Sequence, residues 1–236
     1  QSPRLRVLAS LRPKQGCGAQ SMTSVSSYGT TGNTYIDGLL TGYKWAVTDI
    51  SYSFPTSGAL YGSVYGSGEN LNGFEAFSAQ QQAAVRTILA MYSSVVNLTF
   101  TETAETSTST GTLRYAESDA VSTAWGYYPS SSASGGDMWF NNSTNFYDAP
   151  AKGNYAFFTM MHETGHALGL KHPHEANGSF GALPIDKDSV EYTVMSYRSY
   201  VGAPTTGYTI GAASYPQTLM MLDIQALQKL YGANYS

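Results

Sequence analysis

Cysteine is almost missing from this chain of 236 residues: Cys17 is the only one, so no internal disulfide can form. Charge is scarce too. Only 12% of residues are Asp, Glu, Lys or Arg, and the net charge is −4, which argues against a nucleic-acid groove or a basic membrane-binding surface. No apolar run approaches the ~18 residues that a membrane-spanning helix requires. The N-terminal stretch holds arginines and a lysine but no apolar segment of roughly 7–15 residues, so no Sec signal is visible. What is plentiful is Gly, Ser, Thr and Tyr, on a chain long enough to bury a substantial core as one domain.

Histidine is also sparse, and its distribution is informative. Three of the four histidines fall in residues 162–172, His-Glu-Thr-Gly-His-Ala-Leu-Gly-Leu-Lys-His. His162 and His166 are four apart, so on a helix they project from one face, one turn apart. Glu163 can reach water at a metal held by its neighbour without itself being a ligand. Gly169 should end the helix in a left-handed turn and bring His172 back towards the first two. Three neutral imidazoles would bind Zn²⁺ and leave a coordination position open, as a catalytic site requires. A lone histidine is more often a satisfied core or surface residue, and a bare His-Glu-x-x-His pair can be accidental. The glycine and third histidine together point to a zinc hydrolase. His174 breaks the spacing and reads as a solvated loop residue.

Along the chain, residues 1–35 are rich in Ser, Thr and Gly and read as an irregular leader that could serve as a pro-segment. Residues 44–54 read as a strand stopped by Pro55, and 58–73 as a glycine-rich loop. Ser78 and Gln81 form a capping box for a first helix whose apolar face carries Val85, Ile88, Leu89, Tyr92 and Val96. Residues 98–102, 112–116, 123–128 and 137–140 read as strands, 155–168 as the histidine-bearing helix, and 217–231 as a last helix. Strands interleaved with helices indicate an α/β sheet backed by the first helix and the histidine helix. Asp223 falls on the apolar side of the last helix with Leu219, Leu227 and Leu230, so its carboxylate should accept backbone N–H bonds.

The eleven-residue motif resembles that of the metzincin metalloproteases. Residues 191–197, Glu-Tyr-Thr-Val-Met-Ser-Tyr, look like their methionine turn, and Met195-Ser196-Tyr197 most resembles the serralysins. Residues 51–55, 77–82, 97–102 and 230–234 extend the likeness over about residues 50–235. The resemblance implies a twisted, mostly parallel sheet with an antiparallel edge strand, backed by two long helices. A smaller irregular C-terminal subdomain ending in a helix would follow. The catalytic domain would be residues 36–236, with an upper subdomain to about 169 and a lower one over 170–236. It also implies that Tyr197 is an extra, displaceable zinc ligand that swings to the tetrahedral intermediate, that Met195 forms the floor under the imidazoles, and that Asp223 braces the methionine turn. Leu222 stands where many relatives carry a second aspartate, so a salt bridge from that position is not expected. Ala124-Trp125-Gly126 would be the substrate-binding edge. The calcium-binding Gly-Asp nonapeptide repeats that normally follow in serralysins are missing from this chain.

The chemistry expected is peptide-bond hydrolysis, with Zn²⁺ as cofactor and Glu163 as general base. By resemblance, the protein would be a secreted, extracellular bacterial monomer acting on protein or peptide substrates and subject to a proteinaceous protease inhibitor. Two other readings stay open: a catalytically silent zinc-binding or adhesion domain, and a zinc peptidase with a glutamate as third ligand. Cys17, between glycines, could reach the zinc as an inhibitory thiolate, against the incidental cysteine of a leader segment. Asp186, Asp188 and Glu191 lack the alternating oxygen ligands and glycine of a dedicated Ca²⁺ loop, so a solvated turn is favoured over a Ca²⁺ site.

Overall fold

The computed structural model describes residues 23–63 and 65–236; Cys17 and most of the 1–35 segment lie outside them. The described part of that segment is largely irregular but holds two short elements. Val25–Ser27 forms strand β1, and Thr34–Asp37 forms a short helix, α1, whose Asn33 cap accepts from the Tyr35 N–H. The strand expected over 44–54 is two strands. Tyr43–Trp45 (β2) pairs antiparallel with β1, while Asp49–Ser53 (β3) enters the main sheet. No Gly or Pro marks the break. It follows from the presence of β1, which captures the first half of the segment.

The main sheet adds Glu75–Ala76 (β4), Thr99–Glu102 (β5), Leu113–Glu117 (β6), Ala124–Gly126 (β7) and Met138–Phe140 (β8). Its order is β5-β3-β6-β8-β7, parallel at the first three junctions and antiparallel at the last. β4 pairs antiparallel with Ala116 and Glu117, continuing the side of β6 that β3 occupies at Leu113 and Arg114. The architecture is therefore α/β with a mostly parallel sheet and an antiparallel edge strand. The 58–73 segment contains a 3-10 turn over Gly58–Tyr61.

Side-chain alternation in the strands builds two cores. Leu113, Tyr115, Met138 and Phe140 face the larger one, with helices Ala79–Val95 (α2) and Tyr155–Ala167 (α3). Ala116, Trp125, Tyr127 and Trp139 face a smaller aromatic one with Tyr61 and Tyr65. There Arg114 is buried in an ion pair with Asp137, Nη2 to Oδ2 at 2.6 Å. The capping box of α2 forms as expected: the Ser78 N–H donates to Gln81 Oε1 at 2.7 Å and the Gln81 N–H to Ser78 Oγ at 3.3 Å. Its buried face is Ala84, Val85, Ile88, Leu89 and Tyr92, at roughly 1.5–3 kcal/mol for each large apolar side chain. The last helix, Met221–Tyr231 (α4), begins a turn later than expected.

Every residue of α3 is buried, as for a helix enclosed on all sides. Its C-terminal end is tied from afar: Trp45 Nε1 donates to the Ala167 carbonyl and the Tyr231 hydroxyl to that of Leu168, both at 2.8 Å. Gly169 then takes φ +104°, and a Cβ there would lie 2.5 Å from the Tyr43 carbonyl. Beyond it, Leu170 bridges Leu40 and the Lys171 N–H donates to the Leu39 carbonyl at 2.7 Å, aiming the chain back across the helix.

Candidate metal centre

That reversal brings the three motif histidines together. His172 Nε2 lies 3.2 Å from His162 Nε2 and 3.0 Å from His166 Nε2, and all three rings are buried. The other ring nitrogens of the helical pair face main-chain carbonyls: His162 Nδ1 is 2.8 Å from the Val194 oxygen and His166 Nδ1 2.8 Å from that of Leu170. A carbonyl can only accept, so each Nδ1 carries the proton and each Nε2 presents a lone pair. With two lone pairs directed at the Nε2 of His172, the three nitrogens surround a place that a cation would fill. Ligands about 2.0–2.1 Å from one tetrahedral ion stand about 3.3 Å apart, so the spacing fits Zn²⁺. Burial pushes His162 down to about 4. Burial, and then the neighbouring imidazoles, drives His166 and His172 well below the usual histidine range. The rings are therefore neutral near pH 7, the form that binds a metal.

Glu163 projects beside this cluster with both carboxylate oxygens buried, near the Gly126 N–H but without a hydrogen bond of good geometry. Burial holds its carboxyl well above the usual range. Buried polar atoms normally find good partners, and a carboxylate so weakly partnered next to three imidazoles is what a proton-transfer group awaiting substrate looks like. Gly126 of β7 packs against it: a Cβ there would come within 2.7 Å of the Glu163 carbonyl and 3.3 Å of Oε2. Ala124-Trp125-Gly126 is the terminal strand of the sheet, with β8 as its one partner among the described residues. Trp125 is turned away from α3, its indole N–H donating to buried Glu69 at 3.2 Å; the Tyr127 hydroxyl donates to the same oxygen.

The methionine turn lies below. Met195 is fully buried, and its Sδ is 2.6 Å from where a Cβ on Gly165 would be, so a glycine lets the helix settle on this floor. The Asp223 carboxylate accepts from Thr193 Oγ1 (2.6 Å), the Val194 N–H (2.9 Å) and the Met220 N–H (2.8 Å), as its place on the apolar side of α4 suggested. Because the Val194 carbonyl faces His162, this bracing reaches the first imidazole. Tyr197 stands with its ring centroid 4.3 Å from that of His172, and burial pushes its hydroxyl far up.

Some expectations need correction. His174 is not a solvated loop residue: its ring stacks on His172 at 5.4 Å and 8°, with Tyr197 5.0 Å away, and its side chain is 22% exposed. The turn closed by the Glu175 N–H on the His172 carbonyl brings the two rings together. Asp188 is likewise not solvated; it is buried, accepting from Ser196 Oγ at 2.6 Å and pairing with Arg198 at 2.9 Å. Sequence reasoning missed Lys171, Glu175, Glu69 and Tyr128, whose ring meets His166 edge-on at 5.5 Å.

Sequence comparisons agree with the geometry. The Peptidase_M10 (Matrixin) family model matches residues 72–180. Metallopeptidase AprA of Pseudomonas marginalis is 34% identical over 197 residues, which is 80% of this chain and 41% of that protein. Serralysin A of Dickeya chrysanthemi is 33% identical over 175 residues, 69% of this chain and 35% of that protein. Metalloprotease AprA of Pseudomonas entomophila is 32% identical over 202 residues, 82% of this chain and 41% of that protein. The chain thus spans about two-fifths of the length of these curated relatives. With histidines, methionine turn and mostly parallel sheet in one arrangement, the chain belongs to the metzincin metallopeptidases, and within them to the serralysin type.

Proposed function

We propose that this domain is a zinc-dependent endopeptidase acting on extended segments of proteins or peptides. One observation carries the proposal: three imidazole nitrogens converge beside a buried carboxylate that is only weakly partnered, by the Gly126 main chain. His162, His166 and His172 would hold the ion. When bound, Zn²⁺ supplies Lewis acidity, lowering the pKa of coordinated water to about 7. Glu163 takes the proton of the attacking water and returns it to the nitrogen of the departing amine. The Tyr197 hydroxyl donates to the oxyanion of the tetrahedral intermediate, and one such donor is typically worth ~2.7–4 kcal/mol. Substrate lies as an added strand along the free edge of β7, where Gly126 allows main chain to approach Glu163. Main-chain hydrogen bonding of this kind tolerates many sequences. Secretion from a bacterial cell accords with the serralysin relatives.

Glu163→Ala tests the assignment. The variant should retain one zinc and lose at least ~100-fold in casein cleavage, the range for a general base. Wild-type turnover in the variant would remove Glu163 from its role. A wild-type protein that binds zinc yet cleaves nothing, with or without o-phenanthroline, would instead identify a silent binding domain.

A further inference from the structure

The three imidazoles are not held alike. His162 and His166 stand on α3, and each is oriented by a main-chain carbonyl. His172 lies beyond the helix, and its Nδ1 faces the carboxylate of Glu175 at 3.1 Å, off the axis of a proper hydrogen bond. Glu175 is half-exposed, in the loop that follows His172.

What fixes this loop is Lys171, whose side chain is buried. Its Nζ lies 2.5 Å from the Glu175 carbonyl, 2.6 Å from that of Gly38, 3.1 Å from that of Gly181 and 3.4 Å from that of His172. Four carbonyl dipoles directed at one point repel one another unless a positive charge sits among them. The ammonium therefore acts as a tethered cation. It joins the segment before β2, the start of the loop and its far side, at the one place where the third imidazole leaves the helix. We propose that Lys171 is a positioning residue for His172, acting through Glu175: the lysine holds the Glu175 backbone, and the Glu175 carboxylate orients the imidazole. The first two ligands are locked by main chain, whereas the third depends on this clasp, so the clasp sets how firmly the ion is retained. This deepens the zinc-site reading and rests on it.

The test measures zinc release from stoichiometrically loaded protein into excess 4-(2-pyridylazo)resorcinol, alongside melting of the metal-free protein. Loss of an outer partner typically costs ~10–100-fold in metal affinity. Glu175→Ala should release zinc faster by about that factor, with the metal-free melting temperature unchanged; a merely structural role would move the second quantity and not the first. Lys171→Met should also speed release, and the double variant should be no faster than Lys171→Met alone, because both act along one route. Release at the wild-type rate from both single variants overturns the proposal. Effects that multiply overturn it too, since Lys171 would then act independently of Glu175. If Lys171→Met does not fold, Glu175→Gln decides: retaining an acceptor oxygen, it should release zinc more slowly than Glu175→Ala, and equal rates overturn the relay. A wild-type protein that binds no zinc overturns the metal reading, and this inference with it.

Discussion

Glu163, Asp223 and Glu117 are all buried, and what separates them is what their oxygens meet. Asp223 has three donors and serves as a brace. Glu163 has at most a weak one, the Gly126 N–H, and borders the imidazoles. Glu117, on β6, has one oxygen without a partner and lies opposite Glu75 of β4. Burial, with Asp148 and Glu75 adding to it and Gln81 opposing, pushes Glu117 up to about 7. Its carboxyl is thus harder to ionise folded than unfolded. The stability it contributes is complete below the unfolded value of 4.5 and is lost as pH rises through about 7. Glu117→Gln should therefore gain melting temperature over wild type at pH 8 and gain less or nothing at pH 4; an equal shift at both would show that Glu117 does not titrate in this window. At this scale, residues with local logic were legible. The spacing of His162, Glu163 and His166 needs only one helical turn to be understood. Lys171 and Glu175 were not legible, because the lysine's partners include Gly38, 133 positions away.

Elements were legible where a local signal set their boundaries. Ser78 and Gln81 announce α2 because each side chain satisfies the other's main-chain N–H. Ser78→Ala should destabilise the fold by ~0.5–2 kcal/mol, read by urea denaturation, with zinc content unchanged. A change within error would mean that packing alone fixes this terminus. The strand over 44–54 was misread in the opposite circumstance: no residue between Trp45 and Asp49 marks a break, and the division depends on pairing with β1. β4, two residues long, has too little sequence for any period to emerge. α4 begins late because its polar cap is Asp223 receiving the Met220 N–H, well inside the apolar stretch that suggested a longer helix.

Over the whole molecule, the proposed metal centre joins parts that are otherwise distant. Two of the three histidines come from α3 and the third from the loop behind it, over a floor from residue 195, and the bracing carboxylate comes from α4. An ion that binds only this assembled state stabilises it by mass action, about 4.1 kcal/mol at 1,000 times its dissociation constant. For a domain of this size each kcal/mol shifts melting by ≈2–4 °C. Removal of zinc by o-phenanthroline should therefore lower the melting temperature by roughly 8–16 °C, reversed by added zinc. Identical melting with and without chelator, in protein shown to contain zinc beforehand, would mean that the site contributes nothing to the fold.

Sequence alone determined the pair of imidazoles on one helical face, the carboxylate beside them and the glycine reversal after them, because each depends on dihedral geometry within a turn or two of chain. Tertiary structure decided which imidazole nitrogen carries the proton, how closely Gly126 approaches Glu163, and that His174 and Lys171 belong to the site. Those depend on groups that the fold brings together from other elements, from the Val194 carbonyl beside His162 to the Gly38 carbonyl 133 positions from Lys171, and no local periodicity encodes such contacts.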